Sequence, residues 1–332
     1  MATIKDVARI AGVSVATVSR VINKSPKASR ASIASVEAAM AEVGYRPNAA
    51  ARALVSQSSN IIGVTVADVS DPFFGQMVKS IDDCVRPMGK HLLIGNGYHD
   101  AKNEKEAIEL LINNRVDGLV VHAKGLSDEQ LIAFAKEQPA MVLINRRIDA
   151  ISSRCVSLDN YRGAYLATEH LIKNGHTKIG YICSDHDIED SRSRCQGYRD
   201  AMKANNLEVT DNFIAYGKPD EEGGEHAMIH LLGRGHSLTA VACYSDSMAA
   251  GVIAALDDNG IHVPSDVSVI GFDDGLIARY IRPRLTTIRY PIQQMAEQAL
   301  HLSLSLAKGE TPTGTLQFIP TLVRRYSVRS LN

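Results

Sequence analysis

TIKDVARIAGVSVATVSRVIN, residues 3–23, reads as two short helices joined by a tight turn. Thr3 and Asp6 stand at the spacing of an N-terminal capping box. Val7, Ala8, Ile10 and Ala11 supply a small apolar stripe. Gly12 ends the first helix, because glycine turns left-handed there without steric cost. Ser14 is placed to cap the second helix with its hydroxyl. In that helix Val18, Val21 and Ile22 fall three and four apart and share one inward face. Val15, Ala16, Ser19 and Arg20 are left outside. A small outward face with one arginine suits a helix in a DNA major groove, where Arg reads a guanine edge and small apolar groups meet a thymine methyl. Geometry alone leaves open a plain helical hairpin with a solvated face.

A third helix is expected from its cap, Ser29, to Val43, with Ile33, Val36, Ala39, Met40 and Val43 as its stripe and Gly44 as its stop. YRPN, residues 45–48, breaks the pattern, and Asn48 is the expected cap of a helix over residues 49–54. An alanine-rich helix of two turns is marginal alone, because nucleation is unfavourable, so it needs a partner or DNA. SQSSN, residues 56–60, reads as linker. Over residues 1–60 eight Lys and Arg oppose three Asp and Glu, a balance of +5 in a chain whose total is −1. A basic end on an acidic body fits a DNA-binding head.

The 332 residues, 45% hydrophobic and 22% charged, imply two to three domains with a sizeable core. No apolar run reaches membrane-spanning length, and no signal-peptide core follows Lys5, Asp6 and Arg9, so a cytoplasmic location is expected. Cys84, Cys155, Cys183, Cys195 and Cys243 are scattered without a C-x-x-C, which favours reduced core thiols over a zinc site.

From Ile61 onward short apolar runs alternate with amphipathic stretches. IIGVTV, HLLIG, GLVVH and MVLIN read as strands buried on both faces, followed by VSLD. After Asn160 the pattern restarts with IGYIC, FIAYG, AVACY and VSVIGF. Two sets of β-α repeats imply two doubly wound parallel sheets, one per lobe. The helix PIQQMAEQALHLSLSLA and strand LQFIP are expected to return to the first lobe. The fold class is therefore α/β: an all-α helix-turn-helix head on a two-lobed parallel-sheet core. The expected boundaries are 1–47 for the head, 48–60 for hinge and linker, and 61–332 for the core. Lobe 1 takes about 61–160 and 291–321, lobe 2 about 161–290 and 322–332.

Parallel sheets bind ligands beyond the carboxyl ends of their strands, and two lobes bring those ends to one cleft. The residues there are Asp71, Phe73 and Phe74 after the first strand, His122 after GLVVH, Asn145 and Arg146 after MVLIN, Arg194 beyond IGYIC, Ser245 and Asp246 after AVACY, and Asp273 after VSVIGF. A carboxylate beside aromatic rings suits a sugar, the acid accepting from hydroxyls while a ring covers the C–H face. One of Phe73 and Phe74 is expected in the lobe core, and Asp246 as a helix cap. Phosphate-loop, dinucleotide and nucleophile-elbow motifs are missing, so no enzyme and no cofactor are expected. His226 and His230 stand four apart, but a solvated helix face is favoured over a metal.

IKDVARIAGVSVATVSRVIN strongly resembles the DNA-binding domain of the lactose-repressor family of bacterial transcription regulators, and VEAAMAEVGYRPNAAARAL continues the match. The core also resembles the sugar-binding proteins of bacterial periplasms. DVSDPFFG, LLIGNGYH, TAVACYSDSMAAG and PTLVRRYSV point to the galactose-responsive branch. The resemblance implies a homodimer on double-stranded operator DNA, released by a sugar inducer, D-galactose or a related sugar. It places Thr3, Ser14, Val15, Ala16, Thr17, Ser19, Arg20, Asn23, Ser29 and Arg52 at the DNA, with Leu54 wedged between base pairs in the minor groove. It also places Asp71, Phe74, Asn145, Arg146, Arg194, Ser245 and Asp273 at the ligand. Two departures stand out. Ile33 replaces an Arg common in the family, and Ser245 an Asn found in several relatives. A periplasmic sugar-binding protein, the rival reading, would share the core and lack the basic head.

Overall fold

Helices α1 (Ile4–Ile10), α2 (Val15–Ile22) and α3 (Arg30–Glu42) form the N-terminal head. Each starts at a side-chain cap. Thr3 accepts from Asp6 N while the Asp6 carboxylate accepts from Thr3 N, Ser14 accepts from Thr17 N, and Ser29 accepts from Ser32 N. Gly12 takes φ 66° and turns the chain between α1 and α2. One fully buried valine from each helix, Val7, Val18 and Val36, meets at the centre. Such burial contributes roughly 2 kcal/mol per side chain, which a domain this small needs.

In this computed structural model the described residues are 2–23, 25–46, 58–235, 237–310 and 316–332. The expected cap Asn48, the helix over 49–54, Arg52 and Leu54 lie outside them. Where description resumes, the Asp117 carboxylate accepts from Ser59 N at 2.7 Å and from Ser58 Oγ at 2.6 Å, fixing the end of the linker.

The core begins with β1 (Ile61–Val66), α4 (Pro72–Val85), β2 (His91–Asn96), α5 (Ala101–Asn113), β3 (Gly118–Val121), α6 (Asp128–Glu137), β4 (Met141–Ile144) and β5 (Cys155–Leu158). It continues with α7 (Asn160–Lys173), β6 (Ile179–Ser184), α8 (Glu189–Ala204), β7 (Ile214–Gly217), α9 (Glu221–Leu232), β8 (Ala240–Cys243), α10 (Asp246–Asp258) and β9 (Ser268–Asp273). Last come α11 (Leu276–Tyr280), β10 (Thr286–Arg289), α12 (Ile292–Ala307), β11 (Gln317–Phe318) and β12 (Thr321–Val323).

Two six-stranded sheets result, ordered β11-β5-β4-β3-β1-β2 in lobe 1 and β12-β10-β9-β8-β6-β7 in lobe 2. The chain passes between them three times, after β5, β10 and β11. Its last passage takes two residues, Ile319 and Pro320. β12 runs antiparallel to β10, a departure from the all-parallel expectation: β11 runs parallel to β5, and the direct two-residue crossing brings the chain into lobe 2 from the carboxyl ends of its strands. The central strands β3, β4 and β8 are wholly buried, as continuous apolar runs require. β2 is not: expected to be covered on both faces, it is the edge of its sheet and leaves His91 and Ile94 exposed. β7 is likewise an edge, with Tyr216 exposed. Gly224 lets α9 lie directly against α10, since a Cβ there would stand 2.2 Å from Met248 O. Among the described residues no helix is long and apolar enough to cross a membrane.

Candidate DNA-reading helix and ligand cavity

On α2 the inward face is Val18 and Val21, while Val15, Ala16 and Arg20 are exposed. Ser14 Oγ is occupied as the cap, 3.1 Å from Thr17 N and 3.0 Å from Thr17 Oγ1. Thr3 and Ser29 are also spent as caps, and Asn23 Nδ2 lies 3.4 Å from Ser19 Oγ. The exposed side chains of α2 are therefore those of Val15, Ala16 and Arg20. Ile33 packs against the head core and is a partly buried apolar contact.

Between the lobes lies a cavity of about 440 Å³. Lobe 1 contributes Asp71, Phe73, Phe74, His99, His122 and Asn145, and lobe 2 contributes His186, Asp190, Arg194, Tyr244, Ser245, Asp246 and Asp273. Tyr290, at the crossing after β10, lines it as well. His122 and Asn145 each directly follow a strand, β3 and β4, and Asp273 is the last residue of β9. The positive φ of Asn145 (58°) and Asp273 (121°) marks where each strand breaks to present its side chain.

Arg194 holds the centre of the lobe 2 wall. It stands in the second turn of α8, which points it back at the strand ends. Its Nε donates to Asn160 Oδ1 at 2.8 Å and its Nη1 to Tyr244 O at 2.6 Å. The guanidinium lies over the Phe272 ring at 3.6 Å and the Tyr244 ring at 4.5 Å, and Asp273 Oδ1 is 3.7 Å away. Burial pushes the Asp273 carboxyl well above the usual range, and the Arg194 charge opposes this without cancelling it.

Opposite stands a neutral wall. Burial, with the charges of His186 and Lys124, lowers His99 to about 4, and burial keeps His122 well below its ordinary value. The Nδ1 atoms of both, and Asn145 Oδ1, are buried without a hydrogen-bond partner. Unpaired buried polar atoms cost free energy, and with the Tyr290 hydroxyl four of them belong to residues lining this cavity.

Asp190 ties the two walls together. In the first turn of α8 it accepts from Lys124 Nζ at 2.7 Å and from Asn145 Nδ2 at 2.6 Å, both from lobe 1. The Lys124 and Asp190 side chains are 2% and 6% exposed. Burial would raise the Asp190 pKa, but the charges of Lys124 and Arg194 hold it below the ordinary value.

Not every expected ligand residue reaches the cavity as expected. Arg146 is not among the lining residues: its guanidinium donates to Ala123 O at 3.1 Å and Leu126 O at 2.8 Å and pairs with Asp128 at 2.7 Å. It clamps the loop after β3 from its carbonyl side, while Glu104 takes the Lys124, Gly125 and Leu126 N–H groups on the other. The cap of α10 is Ser245, not Asp246. Ser245 Oγ accepts from Met248 N at 3.2 Å, whereas Asp246 accepts from Thr287 Oγ1 at 2.5 Å and Gly275 N at 2.8 Å. Asp71 caps α4 through Phe73 N. Phe74 is buried and Phe73 half-buried, their rings 5.1 Å apart and edge-on, and both line the cavity. His226 and His230 are exposed on α9.

Residues 3–48 match the family described as bacterial regulatory proteins, lacI family, and residues 168–328 match the periplasmic binding protein-like domain. The transcriptional regulator GalR of Salmonella typhimurium is 58% identical over 329 residues, 99% of this chain and 96% of the relative. The chain belongs to the lacI family of bacterial regulatory proteins. It is a DNA-binding transcriptional repressor, not an enzyme. The structure of the Lac repressor dimer bound to operator and the anti-inducer ONPF is similar at a TM-score of 0.86 and 27% identity, covering 99% of each chain. A transcriptional regulator CelR–cellobiose complex is similar at 0.70 and 28%, covering 98% of this chain and 100% of that one.

Several groups at the lobe junction of this lacI-family repressor escaped sequence reasoning, among them His99, Asp190 and Lys124. His99 lies three residues beyond β2, after a turn in which Tyr98 and His99 both take positive φ. Asp190 sits inside a helix, and Lys124 follows its strand by three residues. The acid-rich stretch SDHDIEDSR after β6 was the signal for Asp190.

Proposed function

We propose that a sugar in the inter-lobe cavity lowers the operator affinity of this repressor, and that D-galactose is the inducer. The observation that carries the reading is the pairing of Arg194 with Asp273 in a cavity walled by aromatic rings and unpartnered polar atoms. A hexose supplies hydroxyls that both donate and accept, matching the carboxylate, the guanidinium and the neutral imidazoles together. The galactose assignment is supported by the motifs of the galactose-responsive branch and by the 58% identity to GalR.

In this reading Asp71, Phe73, Phe74, His122, Asn145, Arg194, Ser245 and Asp273 form the ligand set, with His99 and Asp190 added and Arg146 acting through its loop. Two copies pair and set two α2 helices on a near-palindromic operator in the cytoplasm. The sugar must favour one arrangement of the lobes over the other, since a ligand with equal affinity for both shifts nothing.

The test has two steps. An operator is selected from random duplexes with the purified protein, and galactose is then titrated by calorimetry and by mobility shift on that operator. Binding that releases the operator is the expected result. Galactose that binds without changing operator affinity sinks the induction mechanism. A thermal-shift panel in which another monosaccharide alone stabilises the protein sinks the galactose assignment.

A further inference from the structure

The end of the stretch that reads as linker is a bound segment. One half-buried carboxylate, Asp117, collects four donors from three consecutive residues. Its Oδ1 accepts from Ser59 N at 2.7 Å and Ser59 Oγ at 3.0 Å, and its Oδ2 from Ser58 Oγ at 2.6 Å and Asn60 N at 3.1 Å. In the other direction Asp117 N donates to Ile61 O at 2.7 Å. Asn60 takes φ 59°, a left-handed turn that Asn tolerates. The backbone N–H groups of residues 59 and 60 converge on the acid as such groups do on a bound anion. Hydrogen bonds to a carboxylate are roughly twice as strong as those between neutral groups.

Asp117 also stands at the end of a rigid element that starts from the ligand cavity. β3 begins one residue on, at Gly118, is wholly buried, and delivers His122 to the cavity wall. From residue 117 to residue 122 an extended chain covers roughly 16 Å. A second element leads from the cavity to the same strand end. Ile292, the first residue of α12, lines the cavity, and Ser303 of that helix lies against the start of β3. Ser303 Oγ accepts from Leu119 N at 3.0 Å and donates to Ala140 O at 2.6 Å, and a Cβ on Gly118 would stand 2.6 Å from it. From residue 292 to residue 303 the helix also covers roughly 16 Å. Close-packed interiors pass a displacement on instead of absorbing it, so the cavity wall of lobe 1 and the start of β3 move as one body.

We propose that Asp117 is the positioning residue that couples the ligand cavity to the DNA-reading head. Its grip on residues 58–60 obliges the chain arriving from the head to follow lobe 1 when a ligand moves that lobe. This coupling rests on the reading that a sugar in the cavity lowers operator affinity. The coupling is the ratio of operator affinities without and with sugar, typically about 5- to 150-fold between linked sites. A carboxylate that merely stabilises a turn contributes alike to both states and leaves that ratio unchanged. One that passes on the movement of lobe 1 sets it.

The experiment compares full-length wild type with Asp117→Asn, which keeps the size of the side chain and replaces one accepting oxygen by a donor. Operator affinity is measured by mobility shift with and without saturating galactose, and galactose affinity by calorimetry. The variant should bind galactose within about twofold of the wild type and still bind operator, while its ratio falls below about threefold, under the usual range of coupling. An unchanged ratio overturns the proposal. Equal weakening of operator binding in both states makes Asp117 a structural cap and overturns it as well. If Asp117→Asn unfolds or no longer holds operator, Ser58→Ala combined with Ser59→Ala decides by the same ratio, since it removes two donors and keeps both backbone bonds. That ratio should fall, and a ratio equal to that of the wild type sinks the coupling. A wild type that binds galactose and keeps its operator removes the induction reading and the coupling together. Release in the wild type that persists in the variants removes the coupling alone.

Discussion

Arg194 asks for a guanidinium and not merely a positive charge. Its planar fork donates to Asn160 and to the Tyr244 carbonyl while lying over two rings, a geometry an ammonium cannot copy. Arg194→Lys should therefore weaken galactose binding by about 2 kcal/mol, the scale of a charged hydrogen bond. Operator binding should persist in the same protein. Unchanged calorimetric affinity would show that the residue serves the lobe and not the sugar. His99 has a pH signature. Its pKa of about 4 in the folded chain lies below the ordinary 6.5. Between these values the unfolded chain holds the proton and the folded chain does not. The stability tied to neutral His99 is thus whole above pH 6.5 and is lost as pH falls toward 4, on the order of 3 kcal/mol in all. His122 acts in the same direction. Asp246 and Asp273, raised by burial, act oppositely and gain stability as pH falls through their folded values. The His99 share is therefore read as a difference. The melting temperature of His99→Gln should fall less than that of the wild type on going from pH 6.5 to 4.5, and parallel curves would refute the assignment.

The α2 face offers Val15, Ala16 and Arg20, and only Arg20 can make two hydrogen bonds to one base. Arg20→Ala should cost about 1–3 kcal/mol on the selected operator and much less on random DNA. An equal loss on both in mobility-shift titrations would make Arg20 a phosphate contact. The helices of the head were legible because their signals are local: the caps Thr3, Ser14 and Ser29 and the stop at Gly12 need only neighbours in sequence. The loop after β3 was not legible. Nothing near Arg146 shows that the carbonyls of Ala123 and Leu126 will consume its donors, and nothing near Glu104 shows that three N–H groups will converge on it. Edge positions are likewise a property of the sheet. HLLIG and GLVVH look alike as runs, yet β2 ends its sheet and β3 lies inside it.

For the whole molecule the decisive contact is the buried pair Lys124–Asp190, one partner from each lobe. Removing one charge leaves the other buried and unpaired, which costs about 3–5 kcal/mol unless water reaches it. In Lys124→Met the lobes should part to hydrate Asp190. Small-angle scattering should then show a larger radius of gyration without sugar than in the wild type, and an unchanged radius would mean that other contacts hold the lobes. Two lobes could be read from repeated β-α texture, but their union could not, since Lys124 and Asp190 are 66 residues apart. The interlaced path of the chain bears on how the protein is made. The last helix of the head ends at Glu42, whereas both sheets wait for strands within residues 317–323. A ribosome therefore releases a finished DNA-reading head while β1, β3 and β4 still lack their full cover, the condition in which nascent chains depend on chaperones. A premature stop after the head but before residue 317 strips an edge strand from each lobe at once. Its product would keep the helices that read DNA and lose the lobes that answer a ligand.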